Sequence, residues 1–86
     1  MPDYNKLIES ILSGRSDSNI RFNDLSKLLM HLGFEMRIKG SHHIFRKENV
    51  RELVNIQKDG NKAKPYQIRQ IRSILLEYNL TGNENG

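Results

Sequence analysis

The stretch that decides the reading of this chain is Phe34-Glu35-Met36-Arg37-Ile38-Lys39-Gly40-Ser41-His42-His43-Ile44-Phe45-Arg46. Phe34, Met36 and Ile38 alternate with Glu35, Arg37 and Lys39. That period of two predicts a half-buried strand with a charged outer face. Gly40-Ser41 supplies a tight hairpin turn, and His42 to Arg46 is the return strand.

Downstream, Lys47-Glu48-Asn49 reads as a second turn and Leu53 to Gln57 as a third strand, weakened by Glu52 and Asn55. Asp59-Gly60-Asn61 ends it. Pro65 suits a first helical turn, and Ile68, Ile71, Leu75 and Tyr78, with Ile74 beside them, form the apolar stripe of a helix. Upstream of the hairpin, Leu25, Leu28, Leu29 and Leu32 form another stripe, with Asn23-Asp24 as its cap and Gly33 as its stop. A loop, Gly14 to Asn19, separates this from a short amphipathic helix carrying Tyr4, Leu7, Ile8, Ile11 and Leu12, capped by Asp3.

The order helix, helix, strand, strand, strand, helix predicts an α+β domain. Three consecutive strands with short turns make an antiparallel meander, and helices packed on one face leave the other open. We divide the chain into an N-terminal extension (residues 1–20), the domain itself (21–79) and a polar, Gly-rich tail (80–86) expected to be disordered.

At 86 residues the chain is one domain, near the lower limit for an independent core, too small for a deep pocket walled by a second domain. The absence of cysteine excludes disulfides and thiolate metal sites. No apolar run spans a membrane, and no signal peptide is legible, so a cytoplasmic location is expected. The net charge of +4 is unevenly placed: residues 1–33 are neutral overall, and the excess lies between Phe34 and Tyr78. A confined basic excess suits a polyanionic partner.

His42 and His43 are neighbours on a strand, so they face opposite sides of the sheet. Ile44 and Phe45 are both apolar, so the alternation alone leaves open which histidine faces out. A displayed imidazole can exchange a proton near neutrality. On RNA one such group suffices in principle, because the 2′-OH beside each phosphate is an internal nucleophile that a general base can activate. No metal is required on this route, and the scattered carboxylates with His31, His42 and His43 show no ligand spacing. Arg37, Lys39 and Arg46 flank the hairpin, Lys62 and Lys64 precede the last helix, and Arg69 and Arg72 lie three apart on it. Together they can grip a phosphate backbone by charge.

Gly40-Ser41-His42-His43-Ile44-Phe45, after a short helix ending at Gly33-Phe34 and a basic strand, resembles the HicA toxin family. The likeness extends through Tyr66-Gln67-Ile68-Arg69-Gln70-Ile71-Arg72 and covers roughly residues 22–78. It implies a double-stranded-RNA-binding-like helix–three strands–helix domain that cuts mRNA as an endoribonuclease. It also implies that the histidine after Gly-Ser, here His42, is catalytic, with Phe45 turned inward. Gly40 and Ser41 are counted with the basic residues as RNA-binding candidates, Ser41 also serving the turn. A HicB-type antitoxin is the implied partner; no cofactor is. The extra helix Tyr4 to Leu12 departs from the family pattern, as a packing element or a partner site. Two other function classes fit the residues: an RNA-binding module without catalysis, and a domain that binds an acidic protein.

Overall fold

The structure is a computed structural model, described here for residues 3–80. Its elements are α1 (Tyr4–Ser13), α2 (Phe22–His31), β1 (Glu35–Lys39), β2 (His42–Arg46), β3 (Val54–Ile56), β4 (Lys58–Asp59), β5 (Lys62–Ala63) and α3 (Pro65–Glu77). β1, β2 and β3 form an antiparallel meander in that order, and β4 and β5 a small second hairpin. The fold is α+β, with the three helices on one side of the three-stranded sheet, consistent with the double-stranded-RNA-binding-like arrangement.

The core is one cluster. Phe45, Val54 and Ile56 from the sheet meet Leu25, Leu28 and Leu29 of α2, Ile68, Ile71, Ile74 and Leu75 of α3, and Ile8 and Ile11 of α1. α1 is thus an integral part of the helical layer. Asp3 accepts from the Lys6 amide at its start, and Gly14, at φ +73°, closes its end.

α2 begins earlier than its sequence suggests. Asn23 and Asp24 lie inside its first turn, and Arg21 stands at the cap without a side-chain bond. The cause is remote: the Phe22 amide donates to the Asn61 carbonyl and the Ala63 amide to the Ile20 carbonyl, both at 3.0 Å. The chain is therefore already fixed against the β4–β5 hairpin when the helix starts. Asp59-Gly60-Asn61, expected only to end a strand, carries the turn of that hairpin. Gly33, at φ +100°, stops α2 as expected; the Phe34 amide reaches back to the Leu29 carbonyl at 3.0 Å. Phe34 is buried in this closing turn and belongs to the cap, not to the strand.

β1 is not half-buried. All five of its residues are exposed, with Met36 at 39% and Ile38 at 58%. These two share the helix-side face with Phe45 and His43, their cross-strand partners. β1 is one of the two edge strands, and the helical layer covers β2 and β3 without reaching over it.

α3 is latched at both ends. Fully buried Gln67 accepts through Oε1 from the Gln57 amide at 3.4 Å and the Lys64 amide at 3.3 Å, tying its first turn to the end of β3. Tyr78 donates its hydroxyl to Glu52 at 2.8 Å and accepts from the Arg51 amide. Leu80, assigned to the disordered tail, packs on the core instead; its amide closes α3 on the Leu75 carbonyl at 2.8 Å. Thr81 to Gly86 lie outside the described residues.

Arg72 fastens α1 and the loop after it to α3. Its guanidinium donates to both carboxylate oxygens of Asp17, at 2.9 and 3.0 Å, and to the Ile11 carbonyl at 2.8 Å. Both side chains are about four-fifths covered (20% and 17% exposed). The Arg72 hydrogen bonds hold the Asp17 carboxyl below its ordinary value of 3.8. The stability from this pair is therefore full above that value and is lost as pH falls through the lower, folded-state pKa. Asp17→Asn is expected to cost about 1–2 kcal/mol at pH 7. The gap to the wild type should narrow in denaturant unfolding as pH falls below 3.8; a gap constant with pH would contradict this.

Candidate nucleic-acid interface

Position on the sheet sorts the functional candidates. In β2, Phe45 is fully buried, so the alternation turns His43 to the helical side and displays His42, Ile44 and Arg46 on the other. Register then assembles the open face. Lys39 stands directly opposite His42, Arg37 opposite Ile44 and Glu35 opposite Arg46. On the other flank Asn55 is opposite Ile44. Directly opposed residues have Cβ atoms about 5 Å apart, so three cations and an exposed imidazole share one small surface.

Gly40 and Ser41 make the two-residue turn between Lys39 and His42. Gly40 alone has positive φ, +63°, the sign pattern of a type II′ turn, which calls for glycine at its first position. The tightness of this turn brings Lys39 against His42.

His42 is oriented by a residue whose role the sequence did not reveal. Its Nδ1 lies 3.1 Å from the Asn55 amide oxygen. With the Asn55 oxygen as acceptor, the hydrogen belongs on Nδ1 and Nε2 keeps the lone pair. That is the tautomer a general base requires. Asn55 interrupts the apolar pattern of β3 because it belongs to the open face.

His43 has a different environment. It is half-buried, edge-on to the Phe22 ring at 4.8 Å and 74°, and its Nδ1 is shielded from solvent without a hydrogen-bond partner. It borders a cleft with Ser41, Gln57, Lys58 and Lys64.

The remaining expected cations do not gather around His42. Lys62 lies in the β4–β5 hairpin, bridged to Arg21. Lys64 caps α3 on the helical side. Arg69 is exposed on α3 and close enough to Asp17 to favour its charged form. Arg72 is a correction: its guanidinium is committed to Asp17 and Ile11, so it is a fastening residue and not a free phosphate grip. Among the described residues no group of three or more histidine and carboxylate side chains gathers to hold a metal, and no helix is long and apolar enough to cross a membrane.

This hairpin, with its histidine pair on opposite faces, lies within the region matched by a family model. The model described as "HicA toxin of bacterial toxin-antitoxin" matches residues 22–77, from the start of α2 to the end of α3. The chain belongs to the HicA toxin family. No curated protein and no solved structure gave a significant match. As a HicA-family chain it is the toxin component of a toxin–antitoxin system, with an antitoxin as its partner in general. α1 lies ahead of the matched region, yet its Ile8 and Ile11 complete the HicA-type core and Tyr4 stacks on His31 at 4.3 Å.

The Asn55 contact makes a spectroscopic prediction. In its neutral form, His42 in the wild type should be the Nδ1–H tautomer by long-range ¹H–¹⁵N NMR. In Asn55→Ala the Nε2–H tautomer should grow at its expense. An unchanged tautomer in a folded variant would show that Asn55 does not set it.

Proposed function

We propose that this chain is a metal-independent endoribonuclease that cuts mRNA in the cytoplasm with His42 as its single catalytic base, and that a HicB-type antitoxin silences it by covering the open sheet face. The observation that carries this is the exposed His42 on a cationic surface, held by Asn55 with Nε2 free.

The chemistry follows from that geometry. Nε2 of His42 takes the proton of a ribose 2′-OH. The 2′-oxygen attacks the adjacent phosphorus, and the bond from phosphorus to the 5′-oxygen breaks. The leaving oxygen takes a proton from solvent, and His42 returns its own to water. The products are a 2′,3′-cyclic phosphate and a 5′-hydroxyl. Lys39, directly across from His42, and Arg37 and Arg46 beyond it, meet the charge that gathers on the phosphate oxygens. The Gly40-Ser41 turn lets a backbone approach closely, since it carries one small side chain and none at Gly40. Lys62, Lys64 and Arg69 lie off this face and act on more distant phosphates. One positioned base contributes about 10²–10⁴ in rate. A slow enzyme of this kind is still toxic, because each cut destroys a message.

The same face explains inhibition. It is cationic and shallow, so an acidic antitoxin surface laid on it buries His42 and excludes RNA by charge and by volume at once.

Induction in bacteria tests the reading. Wild type should stop growth and degrade bulk mRNA, and folded His42→Ala should do neither. Purified His42→Ala should cut at least ~10²-fold more slowly while still binding RNA. If soluble wild type leaves growth and mRNA untouched, a non-catalytic RNA-binding module becomes the better account.

A further inference from the structure

On the helical side of the hairpin, at the end where His42 begins β2, lies a cleft of about 290 Å³ bordered by Ser41, His43, Gln57, Lys58 and Lys64. We infer that this cleft is a phosphate subsite for the RNA strand, separate from the surface around His42. The inference rests on the reading of the chain as an RNA-cutting toxin.

The chemistry of the lining selects the ligand. It offers two ammonium groups, a hydroxyl, an amide and an imidazole, and no carboxylate. Asp59, the neighbour of Lys58 in β4, points to the opposite side of its strand. Among the described residues neither lysine is ion-paired; the one pair is Arg72 with Asp17. Two unneutralised ammonium groups on one concave surface favour an anion of compact size with several acceptor oxygens. A phosphodiester has that character.

The site is also built. The Lys58 Nζ sits over the Phe22 ring, 5.3 Å from its centroid, and the same ring receives His43 edge-on at 4.8 Å. Phe22 is buried at the start of α2, so one fixed ring positions a cation and an imidazole together. Gln67 holds the Gln57 and Lys64 amides, fixing the two backbone segments on the other wall. α3 opens immediately after Lys64, and its positive dipole end adds to the attraction.

Location ties the cleft to the reaction. Ser41 and His43 flank His42 in the chain, and Gln57 directly follows Ile56, the cross-strand partner of His43. A strand with one phosphate at His42 therefore reaches the cleft by passing over the hairpin end. Its neighbour is held there, and the reacting phosphate is placed by two fixed points instead of one.

Binding of a 2′-O-methyl RNA oligonucleotide, which cannot be cut by this route, tests the inference in the wild type and in Lys58→Gln/Lys64→Gln. Losing two phosphate contacts should flatten the slope of log K against log salt by about 1.4, at ~0.7 per contact for a single strand. In parallel, inorganic phosphate should shift the ¹H–¹⁵N resonances of Ser41, His43, Gln57 and Lys58 in the wild type and not in the double variant. Spectral dispersion verifies that the variant is folded. If the wild type binds RNA but the double variant keeps its salt slope and phosphate leaves these resonances unmoved, the subsite is overturned and the ribonuclease reading stands. If the wild type neither binds nor cuts RNA, the ribonuclease reading falls and this subsite with it.

Discussion

The placement of Phe45 in the core governs everything that the open face can do. Its ring is fully buried against the helical layer, and β2 has no freedom to slip while it stays there. A one-residue shift would bring His42 under the helices and expose Phe45. The two-residue turn at Gly40-Ser41 sets the partner strand in the same register, which is why Lys39 and not a neutral residue lies across from His42. One buried aromatic and one glycine turn therefore fix both the display of the imidazole and its electrostatic surroundings.

Around that hairpin the fold separates two tasks. The helical layer supplies cohesion: Arg72 joins α1 to α3, Gln67 joins α3 to β3, and Tyr78 joins the end of α3 to the loop before β3. The other side of the sheet carries His42, Ile44, Asn55, the cations Arg37, Lys39 and Arg46, and Glu35 opposite Arg46. A small domain cannot enclose a substrate, and a substrate that brings its own nucleophile does not need enclosure. It needs a base held in one tautomer and a surface that attracts phosphate. On the proposed reading, His42 held by Asn55 and the cations of β1 and β2 offer both across three strands.

Much of this was legible in the chain because its causes are local. Period decides the helices and strands; Asp3, Gly33 and Pro65 mark ends at which the chemistry lies in the residue itself. Features with distant causes were not legible. α2 starts at Phe22 because the Asn61 carbonyl, far along the chain, receives its amide. Arg72 looked like a phosphate grip because Asp17, its partner, is 55 residues away. β1 looked half-buried because alternation reports which side a residue faces, and not whether a helix reaches that far; Ile38 faces the helical side and remains exposed. Asn55 looked like a flaw in a strand, although an amide in an apolar pattern was the available signal that this position belongs to the other face. The alternation alone left His42 and His43 unseparated; the family resemblance implied Phe45 inward, and the structure buries it.

The most direct test of the account is the end chemistry of a single cut. The purified protein, in excess chelator, is given an RNA oligonucleotide with one preferred cleavage site and the same oligonucleotide with a single 2′-deoxy sugar at that site. The account predicts 2′,3′-cyclic phosphate and 5′-hydroxyl ends from the first and no cleavage at that site in the second. Cleavage of both to 3′-hydroxyl ends, or loss of activity in chelator, would contradict it.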